Sequence, residues 1–185
     1  GENAQAWIGK RVYVGGNYGF VGVNPAFGGQ SAHIVAPMSH VVDIGALSDE
    51  QGVMLALAAT ALHGVDLALG GAPRSDQHAQ RPDGGEQKAT VLVLGQGVVG
   101  QLAARFVRTR GAAVTVTDKS STRLALSVAD QIVNTSAQTV DFALSQFDVL
   151  IDATGKMEAI APMLMNVKKG GRVVMLGYYD SVALP

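Results

Sequence analysis

The residues best suited to chemistry form a glycine pattern, Gly95-Gln96-Gly97-Val98-Val99-Gly100, which directly follows an apolar run. In a strand–turn–helix unit, the first glycine of such a pattern permits the tight turn and the second lets the main chain approach a pyrophosphate. The third glycine lets helix and strand pack closely, and the amide groups that begin the helix face the anion. All six residues are therefore candidate contacts for a dinucleotide cofactor.

Asp118 lies roughly 20 residues further on, at the offset where an acidic residue contacts the adenosine ribose of such a cofactor. A carboxylate there accepts hydrogen bonds from both ribose hydroxyls and repels a 2′-phosphate, which favours NAD over NADP. Lys119 is a further candidate contact, and Lys119 and Arg123 could still tolerate a phosphate. The alternative is that Asp118 only caps the next helix.

Two later loops are expected at the same edge of the sheet, where parallel strands end. They read Asp152-Ala153-Thr154-Gly155 and Leu176-Gly177-Tyr178-Tyr179. In a dinucleotide-binding fold this edge lies beside the nicotinamide half of the cofactor. The candidate cofactor contacts here are Ala153, Thr154, Gly155, Leu176 and Gly177. For each of them, an ordinary strand-to-helix turn is the alternative.

The elements that position these loops alternate between apolar runs and helical segments after residue 88. Such alternation predicts right-handed βαβ units, and thus a doubly wound parallel sheet with helices on both faces. The predicted strands are 90–94, 113–117, 132–133, 149–152 and 171–176. The predicted helices are 98–110, 121–129, 140–145 and 157–167.

The first part of the chain has a different pattern, in which short apolar runs are separated by glycines. It predicts antiparallel strands at 11–14, 30–35 and 40–44, too few to close a core alone. Ser48 and Gln51 form a capping-box signature that predicts a helix over 49–69. We expect a partial domain at 1–48, a nucleotide-binding domain at 49–185, and a mobile polar loop at 70–88.

Composition excludes several classes of protein. The 185 residues carry 14 basic and 15 acidic side chains, so no positive field exists to hold a nucleic acid. Zero cysteines exclude a disulfide framework and a thiolate zinc site and suggest the cytoplasm. The longest apolar window, 53–71, is interrupted by His63, Gly64 and Asp66, and therefore predicts a core helix rather than a membrane span.

With these residues placed, the sequence resembles the medium-chain dehydrogenase/reductase superfamily, whose members are similar to zinc alcohol dehydrogenases. The resemblance rests on the segments 7–14, 27–35 and 47–65 together with the glycine pattern. It implies a GroES-like catalytic domain joined to a Rossmann domain, with the active site in the cleft between them. By this resemblance the chain is truncated, and its first 48 residues are a GroES-like antiparallel remnant.

Within the superfamily the chain resembles the bacteriochlorophyllide a dehydrogenase branch, on segments 26–29, 51–63 and 176–180. This implies NAD-dependent oxidation of the 3-(1-hydroxyethyl) group of a tetrapyrrole to 3-acetyl, in bacteriochlorophyll biosynthesis. Two alternatives stay open, an NADP-dependent zinc-free quinone or enone reductase and a non-catalytic dinucleotide-binding module. Apolar strand faces without a full catalytic domain to cover them lead us to expect a homodimer or an aggregation-prone chain.

Alignment with the zinc-dependent members puts Ala56 where they carry a residue at or near the metal, and the histidines lack zinc-site spacing. We therefore expect no metal. The resemblance places Thr60 against the nicotinamide, although its hydroxyl could instead bond back to its own helix. His63 could relay a proton and Tyr178 could face the cleft, which makes Thr60, His63 and Tyr178 the candidate catalytic residues. A packed, structural role is the alternative for His63.

Overall fold

A computed structural model of the protein describes residues 2–15, 32–70, 88–137 and 140–179. The chain forms two compact units, residues 1–56 and residues 57–185. The predicted domain boundary at residue 48 stays a prediction. The predicted loop at 70–88 lies almost wholly outside the described residues. Within the described part of the chain, no helix is long and apolar enough to cross a membrane.

The first unit contains an antiparallel pair of strands, β1 (Val12–Val14) and β2 (Val41–Asp43), with Tyr13 opposite Val42. Short 3-10 helices lie at Glu2–Trp7 and Met38–His40. The predicted antiparallel sheet is therefore confirmed. The strand predicted at 30–35 is not formed over residues 32–35, whose side chains are all exposed. Burial of one face fixes the register of a strand, and this segment buries neither face.

The helix predicted over 49–69 is divided into α1 (Asp49–Gly52) and α2 (Leu55–Leu69). The predicted capping box is present, because Ser48 Oγ accepts from the Gln51 N–H and Gln51 Oε1 accepts from the Ser48 N–H. The division follows from a tightened turn, in which the Met54 N–H bonds to the Gln51 carbonyl three residues back.

The second unit is built on five described strands that all run parallel. They are β3 (Thr90–Leu94), β4 (Ala113–Asp118), β5 (Gln131–Asn134), β6 (Phe147–Asp152) and β7 (Val167–Met175). Their order in the sheet is β5-β4-β3-β6-β7. The predicted doubly wound parallel sheet is confirmed.

The sheet is buried on both faces at its centre. On β3, Val91 and Val93 pack into one core with α2 and α3 (Val98–Thr109). Leu92 and Leu94 point to the other face and pack into a second core with residues of the 142–167 region. A central strand places its side chains alternately in the cores on the two faces of the sheet. This explains why β3 is an unbroken apolar run.

Three predicted helices differ from the structure. Helix α4 ends early, at Ser121–Leu124, since Leu126 and Ser127 donate to carbonyls three residues back. No helix forms over 140–145, because Asn166 Nδ2 donates to the Phe142 and Ala143 carbonyls and Ser145 has a φ of 53°. The helix predicted over 157–167 is α5 (Met157–Ile160) followed by a 3-10 helix, Ala161–Asn166, which contains Pro162.

Candidate dinucleotide-binding site

The candidate site lies where the strand order reverses. From β3 the chain proceeds outward to β4 and β5 and then returns to β6 on the other side of β3. In open parallel sheets, ligands bind in the crevice outside the carboxyl ends of the strands at such a point. The loops that flank this crevice are 95–97, after β3, and 153–155, after β6. Both loops were predicted as cofactor contacts.

Gly95 adopts a conformation that only glycine accepts easily, with a φ of +85°. Its N–H donates to the Thr117 carbonyl at 2.8 Å, which ties the turn to β4. A Cβ at Gly95 would approach Thr154 Cγ2 to 2.8 Å and the Ala153 carbonyl to 3.3 Å. The turn after β3 therefore lies directly against the loop after β6, and a side chain at Gly95 would separate the two.

The other two glycines of the pattern differ in what surrounds them. A Cβ at Gly100 would overlap the Gly95 carbonyl oxygen, so this glycine allows α3 to pack on the turn. Gly97 is the N-cap of α3 and has no side chain to cap the helix, and a Cβ there would meet nothing within 4 Å. The start of a twelve-residue helix thus faces open space, which fits the approach of a pyrophosphate.

Gln96 is fully buried and is held by the protein at both ends of its amide. Its Nε2 donates to the Gly95 carbonyl at 3.0 Å, and its Oε1 accepts from Ser127 Oγ at 2.8 Å. The side chain thus stabilises the turn from inside. Neighbouring Val98 is 45% exposed, whereas Val99 packs partly against the core.

Asp118 ends β4 and lies beside the glycine turn. Its Oδ2 accepts from the Gln96 N–H at 2.6 Å and its Oδ1 accepts from the Ser120 N–H at 2.7 Å. Arg123 Nη1 lies 3.9 Å from Oδ2, with a side chain that is 61% exposed. Lys119 is exposed. The structure thus brings together the glycine pattern and the acidic residue that the sequence analysis paired by spacing alone.

Asp152 was not among the predicted site residues, yet it organises the other side of the crevice. It ends β6, is completely buried, and accepts from the Thr154 hydroxyl at 2.6 Å and the Gly155 N–H at 2.9 Å. Its carbonyl accepts from the Leu176 N–H at 2.7 Å. An aspartate followed at the second residue by threonine and at the third by glycine is typical of a side-chain-capped turn, and this signal was available in the sequence.

The two tyrosines after β7 are placed differently. Tyr178, a predicted catalytic residue, is 87% exposed. The hydroxyl of Tyr179 donates to Asp152 Oδ2, and burial together with this hydrogen bond raises the pKa of Tyr179 above its usual value. Main-chain atoms of Tyr178 would overlap a Cβ at Gly155, whose φ is +66°. Tyr179 was not among the predicted site residues, and sequence alone offered no signal to separate it from its neighbour.

Helix α2 carries the other two predicted catalytic residues, and both Thr60 and His63 are exposed. Gly64 lies against Leu176, since a Cβ on this glycine would come within 2.8 Å of Leu176 Cδ1. Further along the helix, the Ala68 carbonyl accepts from Arg172 at 2.9 Å. Helix α2 therefore runs opposite to β7, and its amino-terminal half, including Thr60, extends toward the carboxyl edge of the sheet.

The described residues contain no cluster of three or more His, Asp or Glu side chains that could hold a metal ion, and the sequence has no cysteine. The expected absence of a metal stays a prediction.

Comparison with known proteins finds dehydrogenases among the relatives of this chain. Residues 98–184 match the family model of zinc-binding dehydrogenases. Over 178 residues the chain is 29% identical to 2-desacetyl-2-hydroxyethyl bacteriochlorophyllide A dehydrogenase of Cereibacter sphaeroides, covering 92% of this chain and 49% of the relative. It is 35% identical over 98 residues to L-threonine 3-dehydrogenase of Streptomyces avermitilis, covering 47% of this chain and 28% of the relative.

A solved structure shares the fold and carries a dinucleotide. It is a protein of Sinorhizobium meliloti 1021, described as a zinc-binding dehydrogenase and bound to NADP. The two chains have a TM-score of 0.64 and 26% identity, over 80% of this chain and 43% of the other. This chain therefore spans about half the length, or less, of the relatives that it matches.

Proposed function

This chain belongs to the medium-chain dehydrogenase/reductase superfamily of zinc-binding dehydrogenases, and from that premise we propose that it binds NAD at the carboxyl edge of its parallel sheet. One observation carries the proposal. The carboxylate of Asp118 contacts the Gln96 N–H inside the glycine turn, although the two residues are 22 positions apart. The groups proposed for the ribose and for the pyrophosphate thus lie side by side.

The pyrophosphate is proposed to lie at the start of α3. Gly97 leaves open space there, and the first amide groups of a helix have no partner within it, so they favour an anion. Gly95 and Gly100 hold the turn that aims these amides. The loops 153–155 and 176–177 would then lie beside the nicotinamide half of the cofactor.

The preference for NAD over NADP is proposed from the position of Asp118. Each carboxylate oxygen already accepts one main-chain N–H, which fixes its orientation and leaves a lone pair on each oxygen for a ribose hydroxyl. A 2′-phosphate would meet this negative charge. Arg123 Nη1, 3.9 Å from Asp118 Oδ2, partly offsets this charge, so the chain is proposed to prefer NAD without excluding NADP.

The proposed reaction is oxidation of a secondary alcohol, with the 3-(1-hydroxyethyl) group of bacteriochlorophyllide a as the leading substrate. The proposal draws on the relative in Cereibacter sphaeroides, whose name specifies that hydroxyethyl pigment. Bound NAD supplies the acceptor for the hydride of the carbinol carbon. Thr60 would hold the nicotinamide, His63 would take the hydroxyl proton, and Tyr178 would offer an exposed ring to a flat substrate.

Two alternatives follow from specific observations. The structural relative from Sinorhizobium meliloti binds NADP, which supports the cofactor of the first alternative, an NADP-dependent quinone or enone reductase. Its own description is a zinc-binding dehydrogenase, so the zinc-free reaction of that alternative is drawn from the sequence alone. The chain matches only about half the length of its relatives, which keeps open a dinucleotide-binding module without catalysis.

We further propose a division into domains at residue 48, a homodimer and a cytoplasmic location. Light scattering tests the dimer.

Calorimetric titration of the purified chain with NAD and with NADP tests the proposal. NAD is expected to bind at least about tenfold more tightly, and Asp118→Ala should remove most of that difference. Asp130→Ala is the matched control, because Asp130 is an exposed acid that precedes β5 at the opposite edge of the sheet. Equal affinities for the two cofactors in the unmodified chain would contradict the preference, and absence of binding would contradict the function.

Turnover is tested separately, with hydroxyethyl bacteriochlorophyllide and NAD, by the appearance of reduced cofactor absorbance. Turnover supports the alcohol dehydrogenase. Cofactor binding without turnover of this substrate, but with NADPH-dependent reduction of a quinone, would favour the reductase instead. Binding with neither reaction would favour the non-catalytic module.

A further inference from the structure

Asp152 is the most constrained carboxylate in the described part of the second unit. It is completely buried at the end of β6, and its side chain accepts hydrogen bonds from four donors. Oδ2 accepts from the Thr154 N–H at 3.2 Å, the Gly155 N–H at 2.9 Å and the Tyr179 hydroxyl. Oδ1 accepts from the Thr154 hydroxyl at 2.6 Å. A buried carboxylate is tolerated when its acceptors are used in this way.

These hydrogen bonds connect three segments at the crevice. Thr154 is held in the loop after β6, where its methyl group faces Gly95 of the glycine turn. Tyr179 belongs to the segment after β7 and reaches back to the same oxygen that fixes Gly155. A Cβ at Gly177 would lie 3.1 Å from Asp152 Oδ2, so the main chain after β7 also lies close to the carboxylate.

The polar side chains of these segments already form hydrogen bonds within the protein. The Thr154 hydroxyl donates to Asp152 and accepts from the Lys156 N–H at 3.0 Å. Tyr179 donates its hydroxyl, and its raised pKa keeps that proton in place across the neutral range. Without Asp152, the loop after β6 and the segment after β7 would have no shared polar partner among these residues.

We infer that Asp152 is a positioning residue for the nicotinamide half of the cofactor, and that the hydrogen bond from Tyr179 holds its carboxylate in place. Neither side chain need touch the cofactor, because their effect is to fix the loop 153–155 and the segment 176–177 relative to the glycine turn. The inference rests on the proposed function, since it assigns these two loops to the nicotinamide. It adds to that function that binding of the nicotinamide half of the cofactor depends on a buried carboxylate.

The experiment compares two ligands that differ only at the nicotinamide, NADH and ADP-ribose, by calorimetric titration of the full chain. Asp152→Ala should weaken NADH by about tenfold or more, because several donors lose their acceptor, and should leave ADP-ribose within about twofold. Asp152→Asn should restore NADH binding. Its amide oxygen can replace Oδ2, and its Nδ2 can donate to the Thr154 hydroxyl, which can rotate to accept.

Tyr179→Phe keeps the inference testable if Asp152→Ala does not fold, since it removes a single donor. It should weaken NADH by about threefold and leave ADP-ribose unchanged. Asp148→Ala is the matched control on the same strand, because Asp148 accepts from Thr90 and Lys168 at the amino end of β6. This control should lower the melting temperature and keep the ratio of NADH to ADP-ribose affinity of the unmodified chain.

The outcomes separate the inference from the function beneath it. A selective loss of NADH affinity in Asp152→Ala or Tyr179→Phe, with recovery in Asp152→Asn, supports the positioning role. Equal losses of affinity for both ligands, or no loss for either, would overturn the positioning role. The proposed function would still stand if the unmodified chain binds ADP-ribose. If the unmodified chain binds neither ligand, the proposed function fails and the inference fails with it.

Discussion

The carboxylate of Asp118 accepts the Gln96 N–H at 2.6 Å, so the last residue of β4 is bonded to the middle of the turn that follows β3. Ser120 donates to the other oxygen at 2.7 Å. The carboxylate is thereby oriented from two sides before any ligand arrives. A preoriented acceptor loses little conformational freedom on binding, which favours selective recognition of a ribose.

Gly97→Ala and Gly100→Ala should lower stability to different extents. At Gly100 a Cβ overlaps the Gly95 carbonyl, and we expect a loss of about 1–3 kcal/mol in the free energy of unfolding. At Gly97 a Cβ enters open space, so the loss should stay below about 1 kcal/mol. Urea denaturation measures both.

The same Gly97 variant should nevertheless bind NAD at least about tenfold more weakly, because its Cβ occupies the space proposed for the pyrophosphate. Calorimetric titration measures the affinity. A Gly97→Ala chain that keeps both its stability and its NAD affinity would place the pyrophosphate elsewhere.

Arg123→Ala should sharpen the preference for NAD. The guanidinium lies 3.9 Å from Asp118 Oδ2 and is the group best placed to offset the charge of a 2′-phosphate. Its removal should weaken NADP by about three- to tenfold and change NAD by less than about twofold, most clearly at low salt. Arg108→Ala is the control, since Arg108 lies 3.7 Å from Asp130, an acid that precedes β5. Equal losses for NAD and NADP would show that Arg123 does not act on the 2′ position.

Acid should destabilise the chain partly through Asp148. Burial works to raise its pKa, but hydrogen bonds from Lys168 and Thr90 outweigh burial, and the pKa lies below the usual 3.8. Since the folded pKa is lower than the unfolded one, the stabilisation is full above the usual carboxyl range and is lost as pH falls through the folded pKa. Urea midpoints between neutral pH and pH ~3 should therefore fall less steeply in Asp148→Asn. An unchanged slope would remove Asp148 from the acid response.

His63→Ala should reduce kcat of alcohol oxidation about a hundredfold if His63 is the base, with the affinity for NAD unchanged. Tyr178→Phe is the companion variant, in which the exposed ring is kept and the hydroxyl is lost. A kcat that stays within about twofold in His63→Ala would assign the base to another group.

The sequence predicted those elements whose signals are local. Strand β3 was predicted with its observed bounds, 90–94, because four apolar residues lie between a threonine and the glycine turn. The capping box at Ser48 was predicted for the same reason, since both partners lie within one turn. The association of Asp118 with the glycine pattern followed from a spacing that βαβ geometry fixes.

The elements that the sequence did not predict depend on distant partners. Residues 140–145 are not helical because Asn166 binds the Phe142 carbonyl from 24 positions away. The local turn that Asp152 caps could be read from the sequence, but its contact with Tyr179 could not, because Tyr179 is 27 positions away. Tyr178 was chosen over Tyr179 because the contact that distinguishes Tyr179, its bond to Asp152, joins residues far apart in the sequence.

Backbone amide shifts of the isotope-labelled chain, recorded by NMR during titration with NADH, test the central claim most directly. The account predicts the largest shift changes at Gly97, Val98 and Asp118, with little change at Thr90 and Asp148 on the opposite edge of the sheet. Absence of shift changes, or changes confined to that opposite edge, would contradict a dinucleotide site at the carboxyl ends of the strands.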